Sequence, residues 1–218
     1  MTRDRALEDI ILGLLPPGVI VRAGPIVAAG PLPTIEARLI TRAVETRRAE
    51  FASGRVLARN ALAALGRPVQ ALGATPGAGP DWPDGVVGSL THAHGVVAAA
   101  VARKTALAGL GIDIEGPRTL SLSTWGSVFT QAECAALTDS HAAARLFSAK
   151  EAAYKCLAGL GQPPAEFSDF EMQPQVWGYR LRMSRGAPPV PEILVRHCLV
   201  GERGVCTAYC HASTGQPA

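Results

Sequence analysis

Polar and apolar positions alternate with helical spacing over residues 4–15, where Asp4, Arg5, Glu8 and Asp9 precede the run Ile10 to Leu15. This pattern predicts a helix, which Pro16-Pro17-Gly18 ends ahead of a strand at Val19 to Val21. From Thr34 to Leu65 the chain is rich in Ala, Leu, Arg and Glu without a proline, which predicts one long helix or two, closed by Gly66 and Pro68. A Gly/Pro-dense loop over 73–85 leads to a strand at Val86-Val87-Gly88, a turn carrying polar groups at Ser89-Leu90-Thr91-His92, and a second strand over Gly95 to Ala102. Gly109 to Glu115 reads as a third strand, ended by Gly116 and Pro117. Thr130-Gln131-Ala132-Glu133 matches a helix-starting capping box. A longer helix is expected from Ala142 to Leu160, before Gly161 and Pro163-Pro164. Strand-sized segments follow at Phe170-Glu171-Met172, Trp177 to Met183, Ile193 to Val200 and Val205 to His211, with a frayed tail over 212–218. The fold class expected is α+β.

FASGRVLARNALAALG (51–66) lines up with LFSAKEAAYKCLAGLG (146–161), pairing Ser53 with Ser148 and Arg55 with Lys150. Either two Ala/Leu-rich helices match by composition, or the chain holds two similar helix-plus-strand halves with a cleft between them.

Composition narrows the class more than the function. With 218 residues, 48% apolar and 18% charged, the chain can bury one large core or two small ones. A formal charge of +3 is too small to signal general nucleic-acid binding, though a local basic patch can still meet phosphate. The five cysteines are odd in number and form no C-x-x-C pair, which with no secretory signal suits reduced thiols in a cytoplasmic protein. Ile10 to Leu15 is far too short to cross a bilayer, so neither a membrane span nor export is expected.

Chemistry concentrates in a few places. Asp113 and Glu115 stand at i and i+2, so a strand turns both carboxylates to one face and Ile112 and Ile114 to the other. Two like charges there suit a hard divalent cation such as Mg²⁺, which takes oxygen ligands. Glu151 and Lys155 are helical neighbours at i and i+4. A solvated ion pair is the ordinary reading, but Phe147, Ala149, Ala152, Ala153 and Cys156 around them are too apolar for a wet face. Lys150 adjoins the pair; Glu151 beside Asp113 and Glu115 makes three oxygen ligands, with Lys155, one turn along, in reach of a metal-bound phosphate. Of the five histidines only His92, close to the strand bearing Asp113, is assigned to the site; the others read as structural. Arg47, Arg48, Arg55 and Arg59 follow one another on the first long helix. Each alone reads as solvated; as a group they suit a phosphate, whose oxygens arginine's planar fork matches.

WPDGVVGSLTHAHG (82–95), GLGIDIE (109–115) and FSAKEAAYK (147–155), in this order and at these separations, closely resemble the 4′-phosphopantetheinyl transferases of the Sfp type, in the branch that includes EntD. The resemblance runs from about Arg47 to Phe170 and implies two similar helix-plus-antiparallel-sheet halves related by a pseudo-two-fold axis. It places these at 1–108 and 109–218, with the site in the cleft between them. It implies Mg²⁺-dependent transfer of phosphopantetheine from coenzyme A to a serine of an apo acyl or peptidyl carrier protein, with Mn²⁺ the other candidate metal. Asp113, Glu115 and Glu151 become the metal ligands, Glu151 also the base for the carrier serine. Lys155 and Lys150 fall to the coenzyme A phosphates, Thr91 and His92 to the nucleotide end, and Arg47 and Arg55 to the 3′-phosphate. A chain with both halves needs no second copy to complete the cleft, so a monomer is expected. One departure stands out: relatives carry basic residues shortly before the WPDG-like motif, where this chain has Ala74-Thr75-Pro76-Gly77-Ala78-Gly79-Pro80. The rival readings are a metal-dependent phosphodiester hydrolase and a non-catalytic coenzyme A binding module.

Overall fold

The computed structural model describes residues 2–28, 30–75, 79–116, 120–162, 166–184, 189–201 and 203–212. The stops expected at Pro117 and Pro163-Pro164, the middle of the 73–85 loop and the tail over 213–218 lie outside the described residues.

Helix α1 (Arg5–Gly13) starts under a cap from Asp4, and strand β1 (Ile20–Pro25) follows the turn at Gly18, where φ is +92°. The Ala/Leu/Arg/Glu-rich stretch forms two helices, α2 (Thr34–Leu39) and α3 (Glu45–Ala64). Gly66 closes α3 with a φ of +76°, a conformation that favours glycine. A short ladder, β2 (Ala74–Thr75) with β3 (Gly79–Pro80), precedes β4 (Val86–Ala93), β5 (Val96–Arg103) and β6 (Leu107–Glu115). The polar segment Ser89 to His92 is therefore strand and not turn. The reversal comes two residues later at His94-Gly95, both at positive φ (+47° and +79°), the tight hairpin that suits the twist of its strands.

The second part opens with α4 (Leu122–Val128) and α5 (Gln131–Ala136), the latter carrying the expected Thr130/Glu133 capping box. Helix α6 (Ser140–Gly159) leads to four strands, β7 (Phe170–Gln175), β8 (Gly178–Met183), β9 (Leu194–Val200) and β10 (Arg203–His211). The pattern did not predict α4, which carries Ser, Thr and Gly and buries no residue.

Besides the β2-β3 ladder, the described strands form two antiparallel sheets, ordered β1-β5-β4 and β6-β10-β9-β8-β7. Together with the helices they make the expected α+β fold. Their inner faces share one core with α1, built from Leu7, Ile11, Val21, Ala98, Ala100, Leu110, Ile112 and Ile114. Helix α3 covers the opposite face of the three-stranded sheet through Leu57, Ala61 and Leu62, and α6 covers the five-stranded sheet through Ala149, Ala153, Cys156 and Leu157. Burial of such apolar area supplies about 25 cal/mol per Å².

Where the sheets meet, β4 and β6 run side by side without a shared ladder. Side chains bridge them instead: the Ile112 N–H donates to Ser89 Oγ (3.0 Å) and the Ile114 N–H to Thr91 Oγ1 (3.1 Å). Across β6, Gly109 and Gly111 share the face of Asp113 and Glu115. A Cβ on Gly111 would sit 1.9 Å from the Ala152 carbonyl oxygen, so α6 lies on bare backbone there. That close approach brings the carboxylates of β6 within reach of α6.

Candidate active site

Asp113 is 7% exposed and is met by donors from two elements. Its Oδ1 accepts from Lys155 Nζ at 2.7 Å and from Thr91 Oγ1 at 3.2 Å, and its Oδ2 accepts from Ser148 Oγ at 2.8 Å. Lys155 also donates to the Ile112 carbonyl at 3.2 Å and lies 3.9 Å from Glu151 Oε2. The ammonium thus stands between the β6 carboxylate and the α6 carboxylate. Glu115 accepts from the Gly116 N–H at 3.2 Å. Burial pushes the Glu151 carboxyl above the ordinary range; Asp113 and Glu115 push it the same way and Lys155 opposes them. Among the described residues, no group of three His, Cys, Asp or Glu side chains could hold a metal ion. The three expected ligands are neighbours here without being closed into a ligand set.

Beside this cluster lies a cleft of about 870 Å³, lined by α3, β4 and the C-terminal part of α6. Arg47, Arg55, Thr91, His92 and Lys155 all border it, as do Trp82, Lys104 and Tyr154, to which the sequence had given no role. His92 Nε2 lies 3.2 Å from Arg47 Nη1 and 3.1 Å from Glu50 Oε2. Burial lowers the His92 pKa, with Glu50 pulling it the other way and Arg47 and Lys155 adding to the lowering.

Arg55 is 3% exposed, its guanidinium 4.7 Å over the Phe51 ring, yet its Nε and Nη1 are buried without a hydrogen-bond partner. Burial lowers its pKa, with Glu36 and Asp81 pulling the other way. Stranded donors on a buried cation are costly. An anion entering the cleft is the natural acceptor for them.

Not every expected residue reaches this place. Lys150 is fully buried on the far side of α6, where it donates to Glu133 Oε2 (2.5 Å) and to the Phe170 carbonyl (3.0 Å), so its assignment to a phosphate is corrected to a structural one. It directly precedes Glu151, and adjacent helical residues point about 100° apart. Arg59 donates from Nη1 to both Glu36 oxygens at 2.5 Å, and Arg48 reaches the Ile40 carbonyl at 3.4 Å, so the helix's arginines do not act as one group. Thr91 borders the cleft, but its hydroxyl is committed to Asp113 and Ile114. Ser148 went unassigned, although its place one turn before Glu151 and its match to Ser53 were visible signals.

The class is now defined: an α+β protein whose two sheets meet at a cleft that sets arginine and lysine beside buried carboxylates, as a site for a charged phosphate compound would. Residues 35–102 match the 4′-phosphopantetheinyl transferase N-terminal domain, and residues 109–210 match the 4′-phosphopantetheinyl transferase superfamily. The chain belongs to that superfamily. It is 47% identical over 124 residues to the 4′-phosphopantetheinyl transferase Npt of Nocardia iowensis, covering 55% of this chain and 56% of that protein. To Svp of Streptomyces mobaraensis it is 41% identical over 144 residues, with 63% and 58% covered. To PptT of Mycobacterium tuberculosis it is 40% identical over 144 residues, with 64% and 63% covered. The matches thus span less than two thirds of each relative's length. A holo-[acyl-carrier-protein] synthase structure from Thermotoga maritima superposes with a TM-score of 0.43 at 18% identity, over 50% of this chain and 67% of that one. No described helix is long and apolar enough to cross a membrane.

Proposed function

We propose that this protein transfers the 4′-phosphopantetheine group of coenzyme A to a serine of an apo acyl or peptidyl carrier protein, releasing 3′,5′-ADP. The observation that carries this reading is the buried guanidinium of Arg55, with Nε and Nη1 unpartnered, in a cleft that Lys155 also lines beside the Asp113 cluster. Two halves, 1–108 and 109–218, contribute to one cleft, so the working unit is a monomer.

Coenzyme A lies with its 3′-phosphate against Arg55 and Arg47, its nucleotide along His92, and its pyrophosphate toward Lys155. The carrier serine Oγ attacks the phosphorus that bears pantetheine. The bond from that phosphorus to the bridging oxygen breaks, and 3′,5′-ADP leaves with the electron pair. Glu151 accepts the serine proton, a role its raised pKa favours. Lys155 offsets charge on the departing phosphate. Asp113 and Glu151 flank the Lys155 ammonium and Glu115 lies near Glu151; as oxygen donors of the right charge the three would hold a divalent cation once drawn together around it. When bound, Mg²⁺, or Mn²⁺ in its place, would supply neutralisation of the pyrophosphate.

The test is to incubate the purified protein with coenzyme A, Mg²⁺ and apo carrier protein and to read the carrier by intact mass. A phosphopantetheine adduct is expected, lost in Glu151→Gln and Asp113→Ala variants that keep their circular dichroism. No adduct on any of several acyl and peptidyl carriers overturns the proposal, and coenzyme A cleaved without a carrier points to the hydrolase.

A further inference from the structure

Asp113 is held at both oxygens, but its two holds differ in kind. At Oδ1 the shorter contact is Lys155, a long, 27% exposed side chain that also has a ligand to meet in the cleft. At Oδ2 the donor is Ser148, 1% exposed and on a short side chain with a single torsion. When Lys155 turns toward a phosphate, the Ser148 contact remains.

The Ser148 hydroxyl is itself aimed. Cys206 stands directly opposite Asp113 in the β6/β10 register, and Ser148 on α6 lies against both. Burial pushes the Cys206 thiol up to about 12, so Ser148 has an uncharged neighbour there. The serine hydroxyl has one proton to give, and it points at Asp113 Oδ2. The matched serine on α3, Ser53, holds no carboxylate. Its hydroxyl accepts from the Val27 N–H at 3.0 Å and donates to the Val27 carbonyl at 3.4 Å. One serine ties down a backbone, and the other ties down a carboxylate.

We propose that Ser148 is a positioning residue, whose hydroxyl locks Asp113 in the single rotamer that faces Lys155 and the cleft. This deepens the reading of the site given above; its consequence for rate rests on that reading, and its structural content does not.

The test uses Ser148→Cys, which keeps the size and removes the strong donor, with Ser148→Ala beside it and Ser148→Thr as the conservative rescue. Three-bond couplings of the Asp113 β-protons should report one rotamer in the wild type and in Ser148→Thr, and rotamer averaging in Ser148→Cys and Ser148→Ala. In the transfer assay kcat should fall about tenfold to a hundredfold, the usual effect of losing a hydrogen bond behind a functional ligand. The KM for coenzyme A should stay within about twofold, because no contact to it is lost. A single Asp113 rotamer in Ser148→Cys, or a rise in KM at unchanged kcat, overturns the proposal. Should the wild type show no transfer at all, the proposed function fails while the couplings still decide the role of Ser148. If Ser148→Ala does not fold, Ser148→Cys carries the measurement alone.

Discussion

Arg55 on α3 and Lys150 on α6 fall at matching positions of two aligned runs, and both are buried, at 3% and 0% exposure. Each helix is preceded by a short one with a buried glutamate, Glu36 on α2 and Glu133 on α5. In the second half Glu133 takes Lys150, and it also accepts from the Thr130 and Met172 N–H groups. In the first half Glu36 takes Arg59, one turn beyond Arg55, and accepts from the Leu72 N–H. That shift of one turn leaves Arg55 without an acid to donate to. Similar scaffolds thus set the same kind of charge differently: one cation locks a helix to its sheet, and the other borders the cleft with two nitrogens unpartnered. A buried charge has to be paired from somewhere.

The largest effect expected from this contrast is on stability. Lys150→Met leaves Glu133 buried without its counter-charge and should cost about 3–5 kcal/mol in urea denaturation, whereas Arg55→Met removes a charge that had no acid and should be neutral or stabilising. Equal losses for the two variants would break the comparison. A second effect, on binding, runs the other way. Arg55→Met should weaken coenzyme A by about 1.5–3 kcal/mol in calorimetry, as for other hydrogen bonds to charged groups, and leave 3′-dephospho-coenzyme A nearly unchanged. Equal weakening of both ligands would show that Arg55 does not meet the 3′-phosphate. Lys150→Met, by contrast, should leave the affinity of the folded protein for coenzyme A as it is.

The smallest effect is a titration. Glu151 is raised by burial and by its acidic neighbours and pulled down by Lys155. Removing an acid in Glu115→Gln should therefore lower its midpoint, and removing the ammonium in Lys155→Met should raise it further, both read by carboxyl ¹³C shifts. In stability terms, a carboxyl whose folded pKa is raised opposes folding above that pKa, and the penalty is relieved as pH falls through it. Shifts of the opposite sign would remove Glu151 from the cluster.

Periodicity and turn residues exposed most of the scaffold: the capping box at Thr130, the glycine stops at Gly66 and Gly161, and the four late strands all lie within a few residues of where the pattern put them. Ser89 to His92 misled because polar residues resemble a turn when their partners are unseen. Ser89 and Thr91 face β6 backbone, a contact between residues 23 apart in the chain, and only packing reveals it. Gly109 and Gly111 lie in the strand that the pattern expected, but only the packing shows that they let α6 come near. Lys150 shows the opposite failure. Sequence placed it beside Glu151, and helical geometry sent it to the other core, where Glu133, known only as a cap, was its partner. A burial pattern can tell that a cation is inside; it cannot tell which acid one turn away will claim it.

The seam between β4 and β6 also bears on how the chain behaves among its own copies. A strand edge with open N–H groups is a template on which another molecule can add a strand and seed aggregation. On β6 that edge is closed by Ser89, Thr91 and Lys155, which engage the Ile112 and Ile114 N–H groups and the Ile112 carbonyl. Residues that shape the cleft are thus also guards of a sticky edge. Substitutions that loosen the seam will cost solubility as well as the shape of the cleft.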